Sequence, residues 1–311
     1  MEGLVDDVMR DILTSIGGVD WCVTEFVRVT DSLLPARSFR RICSELEHGC
    51  RTPAGTRVHL QLLGSDPHCL AENAARAAEM GVPVIDLNFG CPARSVNRHR
   101  GGAILLQEPE LLYRIVATVR AAVPHAVPIT AKMRIGYLDS TQALDCALAL
   151  MNGGIGELAV HARTKADGYR PPAYWEWIAR IREIVHIPVV ANGEIWTFAD
   201  YQRCREISGC QDVMLGRGLI ACPDLAWQIR SGGQLRRRTW QQMLPWLRDF
   251  YLKVTHKVVP QHCPGRLKQW LTYLAREYPE AGDLHRVLRA ENNVTTVLQI
   301  LDRHLLEAEP V

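Results

Sequence analysis

Seven short apolar runs, each closing on a polar or glycine-bearing turn, constrain this chain more than any other feature. They fall at residues 21–26, 58–62, 84–88, 129–133, 158–161, 188–192 and 212–216. Stretches with helical periodicity lie between them, at 69–80, 109–122, 141–151, 175–185 and 197–207. Strand and helix alternating in this way imply a parallel sheet, open or closed into a barrel. Polar residues decide between the two. Gln61, Asn88, Lys132, His161, Asn192 and Gly216 stand at or near the C-terminal ends of different runs. In a (β/α)8 barrel those ends meet on one face, where active sites lie. An open doubly wound sheet concentrates its function at one switch point, and no GxGxxG follows the first run. The expected fold is therefore α/β, a TIM barrel whose first strand is missing or truncated, since only seven runs are found. The absent one would precede Met1.

Past Ser231 the pattern changes. Gly232-Gly233 reads as a hinge, Arg236-Arg237-Arg238 follows, and helical stretches occupy 240–257, 266–277, 282–288 and 294–306. The expected division is a catalytic barrel at 1–232 and a small helical domain at 233–311. The last 81 residues carry 12 basic against 8 acidic side chains, while the rest of the chain is net −2. The tail is thus the basic part, suited to an anionic partner.

Bulk properties remove other classes. A 47% hydrophobic, 23% charged composition is that of a soluble globular protein. No run approaches the roughly 18 apolar residues of a membrane span. The acidic start, Met-Glu-Gly-Leu-Val-Asp-Asp, lacks the basic region of a secretory signal. Ten cysteines with no CxxC argue for the reducing cytoplasm. Cys43, His48 and Cys50 match no standard zinc spacing, so no metal is expected.

The chemistry concentrates around Cys91. The third run breaks into Asn88-Phe89-Gly90-Cys91-Pro92. A thiol between glycine and proline just past a strand sits on a stiff turn that aims it above the sheet. It has no nearby cysteine or histidine in sequence, and a neutral thiol can give a proton. A buried structural cysteine is the plainer reading; the flanking residues and the other strand ends favour a functional thiol. Asn192-Gly193-Glu194 and Gly216-Arg217-Gly218 close the last two runs. In barrels these turns commonly bind phosphate, which suggests a phosphate-bearing cofactor. Lys132 at a strand end is costly to desolvate unless it meets negative charge, as a reduced flavin would supply. His161 could bond a ring or phosphate, or be a satisfied core histidine. Gln61 offers an amide that matches an imide edge.

LNFGCPARSVN, ITAKMRIGY, VHARTKADGYR, VVANGEI and MLGRG, in this order, resemble the bacterial tRNA-dihydrouridine synthases essentially end to end. TEFVRV, HARTKADGYR and the tail segment RLKQWLTYL resemble the subfamily that modifies uridine 16 of the D-loop. The resemblance implies an FMN enzyme that uses NADPH to reduce a tRNA uracil, with Cys91 as general acid toward C5. It implies that Met1, Glu2, Gln61, Lys132, Asn192, Gly193, Glu194, Gly216 and Arg217 touch FMN, with His161 close by. Asn88 would hold the uracil edge, and Arg28 and Tyr169 would contact the flipped nucleotide. Arg266, Lys268, Tyr273 and Arg289 would hold tRNA from the tail, as monomer and without membrane. Loss of the first strand would weaken FMN retention and stability. Arg98-His99-Arg100 is bulkier than the resemblance leads one to expect, and contact with tRNA phosphate is favoured there. Two other readings compete: a small-molecule pyrimidine or dihydroorotate-type FMN oxidoreductase, and a flavin-free tRNA-binding protein.

Overall fold

The computed structural model describes residues 1–308. Its strands are β1 (Trp21–Arg28), β2 (Arg57–Leu63), β3 (Ile85–Phe89), β4 (Ile129–Arg134), β5 (Glu157–His161), β6 (Val189–Asn192) and β7 (Val213–Met214). Its helices are α1 (Asp7–Ile16), α2 (Ala36–Ile42), α3 (Pro67–Glu79), α4 (Arg94–Arg98), α5 (Pro109–Ala122), α6 (Ala143–Gly153) and α7 (Trp175–Ile184). They continue as α8 (Phe198–Ser208), α9 (Arg217–Ala221), α10 (Leu225–Arg230), α11 (Trp240–Lys257), α12 (Cys263–Leu274), α13 (Pro279–Leu288) and α14 (Val294–Ala308). The chain forms two compact units, one of residues 20–195 and 199–215, the other of 1–19, 196–198 and 216 onward. This division does not follow the 232/233 boundary, because α1, α9 and α10 group with the tail helices.

The sheet unit is α/β. Its seven strands are all parallel and lie in sequence order, each paired with the next, as a curled half-barrel of TIM-barrel type. Alternation sets its two faces. Val58, Leu60, Leu62, Ile85, Leu87, Ile129, Ala131, Met133, Leu158 and Val160 are buried against the helix layer of Leu70, Ala74, Leu112, Ile115, Val119, Leu150 and Ile178. Each such leucine or isoleucine contributes about 1.5–3 kcal/mol when taken out of water. The residues between them, Gln61, Asp86, Asn88, Thr130 and Lys132, occupy the other face. Helix starts are capped where the sequence allows: the Asp66 carboxylate accepts from Cys69 N ahead of Pro67 at the first turn of α3. β1 slips register between Val23 and Phe26, and the Thr24 hydroxyl there accepts from Gln61 N at 3.0 Å. The bulge thus supplies a partner that the ladder drops.

The helical unit has its own core. Phe250 meets Trp270 edge-on at 4.8 Å, with Tyr251, Leu267, Leu271, Leu288 and Leu301 buried around them. Trp270 Nε1 donates to Ile220 O at 3.1 Å, tying α12 to α9. Lys253 of α11 pairs with Asp11 of α1 at 2.6 Å. α11 begins with a capping box of Thr239 and Gln242. Gly233 is no loose hinge: a Cβ there would come 2.6 Å from the Phe198 ring, and its φ is +82°. Among the described residues no helix is long and apolar enough to cross a membrane.

Candidate active site

β3 delivers Cys91 to the C-terminal edge of the sheet, and the turn that carries it is held from every side. The Asn88 side-chain oxygen accepts from Gly90 N at 3.0 Å and Cys91 N at 2.9 Å. Asn97 Nδ2 donates to Cys91 O at 2.9 Å, and Ala103 N to the same oxygen at 3.1 Å. Arg134 Nε donates to Gly90 O at 2.9 Å. Gly102 closes the back of the turn; its φ is +68° and a Cβ would lie 2.8 Å from Cys91 O. A thiol mounted in this way has a fixed position and is half-exposed to the face above.

A chain of hydrogen bonds runs beneath it. Asn88 Nδ2 donates to Gln61 Oε1 at 2.7 Å, Gln61 Nε2 to Asp86 Oδ2 at 2.6 Å, and Thr130 Oγ1 to Asp86 Oδ1 at 2.6 Å. Asp86 is 3% exposed, and burial pushes its carboxyl up; the Thr130 and Gln61 bonds and the Lys132 charge oppose that. Asn88 therefore spends its oxygen and one N–H inside the protein. That leaves at most one N–H for a uracil edge, a narrower part than the sequence suggests.

Asn88 and Lys132 are register partners on β3 and β4. Burial pulls the Lys132 ammonium down to about 7, the Arg134 charge adds to the fall, and Asp86 opposes it. The Lys132 ammonium donates to Met133 O at 3.3 Å. On the neighbouring strand, His161 is 7% exposed and pairs in register with Arg134 and Asn192. A Cβ on Gly193 (φ +118°) would lie 2.8 Å from His161 Cδ2, so only glycine fits beside that ring. Trp175 Nε1 fixes Gly193 O at 2.9 Å, and Asn192 Nδ2 donates to Met214 O at 2.7 Å. The Glu194 carboxylate is held by Arg163, a fully buried guanidinium whose Nη1 has no partner.

These features test the expected FMN. A half-buried lysine depressed to about 7 and a buried arginine nitrogen without an acceptor both gain from an anionic group. The donor set fits a flavin, with Gln61, Lys132, His161, Asn192 and Gly193 as the side able to hold it. Glu194 is instead engaged with Arg163.

Tyr169 is 50% exposed, stands 6.1 Å from His161, and has the Arg134 guanidinium 5.3 Å from its ring. Arg134 also donates to Thr164 O and Gly168 O at 3.0 Å, so one residue braces both the Cys91 turn and the loop carrying Tyr169. Arg28 donates to Ser95 O at 3.2 Å and lines a cavity of about 520 Å3 with Asp31, Ser65 and His99. Arg98, His99 and Arg100 are exposed, and Arg100 pairs with Glu108 at 2.6 Å.

The remaining expected residues belong to the helical unit. Met1 and Glu2 are exposed, and the Met1 sulfur would lie 3.8 Å from a Cβ on Gly216. Arg217 stacks 5.1 Å over Trp196. Arg266 pairs with Asp6 at 2.8 Å and donates to Gly3 O and Leu4 O. Lys268 donates to Glu291 O at 2.7 Å and Arg289 O at 3.2 Å, neutralising the end of α13. Tyr273 is half-buried and Arg289 exposed. Asp86, Arg134 and Arg163 were not singled out from sequence. Their signal was a charge inside or just past a strand run, in IDLNF, AKMR and VHAR, where burial is costly without a partner. Among the described residues no cluster of three His, Cys, Asp or Glu could hold a metal ion.

The model of the family described as "Dihydrouridine synthase (Dus)" matches residues 1–265. The tRNA-dihydrouridine(16) synthase of Pseudomonas syringae pv. tomato is 58% identical over 304 residues, 97% of this chain and 96% of that one. That of Pseudomonas putida is 56% identical over 99% of this chain and 97% of its own length. That of Neisseria meningitidis serogroup B is 48% identical over 97% and 92%. Solved structures share the fold at low identity. A 6-hydroxypseudooxynicotine amine oxidase from Pseudomonas geniculata N1 superposes with a TM-score of 0.53 at 13% identity, over 73% of this chain and 44% of that one. A histamine dehydrogenase from Rhizobium sp. 4-9 gives 0.51 at 14%, over 80% and 47%.

Proposed function

The chain belongs to the dihydrouridine synthase family and forms dihydrouridine in tRNA, and from that premise we propose that it reduces uridine 16 of the D-loop with bound FMN, using NADPH as reductant. The relatives named for position 16 support the choice of uridine. The observation that carries the chemistry is the thiol of Cys91, fixed on a braced turn one strand from a depressed lysine.

When bound, reduced FMN supplies the hydride that adds to C6 of the uracil. Negative charge then develops across C5 and the C4 carbonyl, and C5 must take a proton. Cys91 Sγ–H gives it, the S–H bond breaks as C5–H forms, and solvent returns a proton to the thiolate. Lys132 and Gln61 hold and polarise the cofactor, and His161, Asn192 and Gly193 shape its seat. Asn88 offers its remaining N–H to a uracil carbonyl. Tyr169 and Arg28 receive the nucleotide, which has to leave its stack to reach Cys91. In the helical unit, Arg289 and Tyr273 present an exposed charge and a ring suited to phosphate and base, and Arg266 and Lys268 stand in the same group. A monomer belongs to the same reading, as does a reducing cytoplasm, which suits ten free cysteines among the described residues.

The test is to incubate purified protein with FMN, NADPH and unmodified tRNA and map dihydrouridine. The expected product carries it at position 16, with free uridine untouched. Product at another position would overturn the choice of uridine, and reduction of free uridine would favour a small-molecule enzyme.

A further inference from the structure

The hydrogen-bond chain beneath Cys91 has a direction, and one residue sets it. Gln61 and Asn88 each carry an amide that could sit either way round. Asp86 Oδ2 accepts from Gln61 Nε2 at 2.6 Å. With its nitrogen so committed, Gln61 turns Oε1 toward Asn88, which must answer with Nδ2, at 2.7 Å. Only then does the Asn88 oxygen face the amides of Gly90 and Cys91. Reversing Asn88 would set its NH2 against the amides of the turn, and reversing Gln61 would set Nε2 against Asn88 Nδ2 and Oε1 against the Asp86 carboxylate. The carbonyls of the turn have Arg134, Asn97 and Ala103 as donors, and both its amides donate to that single oxygen.

We propose that Asp86 is a positioning residue: its buried carboxylate fixes the orientation of Gln61 and Asn88 and so holds the backbone amides that mount Cys91. The order survives protonation at Oδ1, since the Thr130 hydroxyl, 2.6 Å away, can accept as well as donate. The inference rests on the reading of Cys91 as proton donor only for its consequence, not for its geometry.

The test is site-resolved amide hydrogen exchange with the Cys91 alkylation rate read by mass spectrometry, on the full chain. Asp86→Leu and Gln61→Leu should each speed exchange at Gly90 and Cys91 by about tenfold relative to the sheet core, and change the alkylation rate, because the acceptor is no longer held. Asp86→Asn should keep wild-type protection, as its oxygen can still face Gln61 while its NH2 donates to Thr130. Thr130→Val, which removes a bond but not the order, should also keep it. If Asp86→Leu does not fold, Asp86→Ala, which also removes the acceptor for Gln61 Nε2, carries the same expectation. Unchanged protection in the variants expected to lose it, or equal loss in Thr130→Val, would overturn the proposal. Exchange behaving as expected while Cys91→Ala still makes dihydrouridine would leave the positioning intact and sink the acid role instead.

Discussion

Lys132 gives the residue scale its sharpest consequence. Burial holds its ammonium near 7, well below the value of an unfolded lysine, about 10.4. Between those limits the unfolded chain binds more protons than the folded one, so this group's contribution to stability rises with pH and is most unfavourable below about 7. Lys132→Met should therefore stabilise the cofactor-free protein most at low pH, with the gain fading toward pH 10, as thermal melts across pH would show. A bound anionic ring would raise the lysine's pKa again. Affinity for reduced FMN should weaken by up to tenfold per unit as pH climbs above 7, with no such Lys132-dependent fall in Lys132→Met, readable by anaerobic equilibrium dialysis.

At the scale of elements, the turn after β3 is constrained by side-chain bonds from Asn88, Asn97 and Arg134. Gly102 and Gly55 both have φ near +70 to +85°, but only Gly102 is crowded, by Cys91 O. Gly102→Ala should cost about 1–3 kcal/mol and disturb Cys91, whereas Gly55→Ala, in open space, should cost about 1 kcal/mol or less and leave dihydrouridine formation alone. Melting and turnover together separate the two. The same elements show what the sequence could tell. All seven strands and the long helices were legible because apolar periodicity marks them, and α5 and α11 run as expected. α1 was not read, although Asp6 caps it and Val8, Met9, Ile12, Leu13 and Ile16 make an apolar face. Its face is completed by α11, which lies more than 200 residues away, and no local pattern announces that. Cys91, Lys132 and His161 were legible as polar residues at strand ends. Asp86, Arg134 and Arg163 were not, since what distinguishes them is who they touch: a carboxylate ordering two amides, and guanidiniums spanning loops far apart in sequence.

On the scale of the whole molecule, an RNA substrate turns surface charge into affinity. Arg289 is exposed, whereas Lys268 is tied to backbone carbonyls. Arg289→Ala should weaken tRNA binding, lower its salt slope by about one and leave the melting temperature unchanged. Lys268→Ala should lower the melting temperature as well, because the end of α13 loses its donor. The central claim, that Cys91 hands a proton to C5 of a tRNA uracil, is met most directly by Cys91→Ala mixed with FMN, NADPH and unmodified tRNA. Flavin bleaching by NADPH should proceed at the wild-type rate while dihydrouridine falls at least a hundredfold, the usual share of a general acid. Dihydrouridine formed at the wild-type rate by that variant would contradict the account.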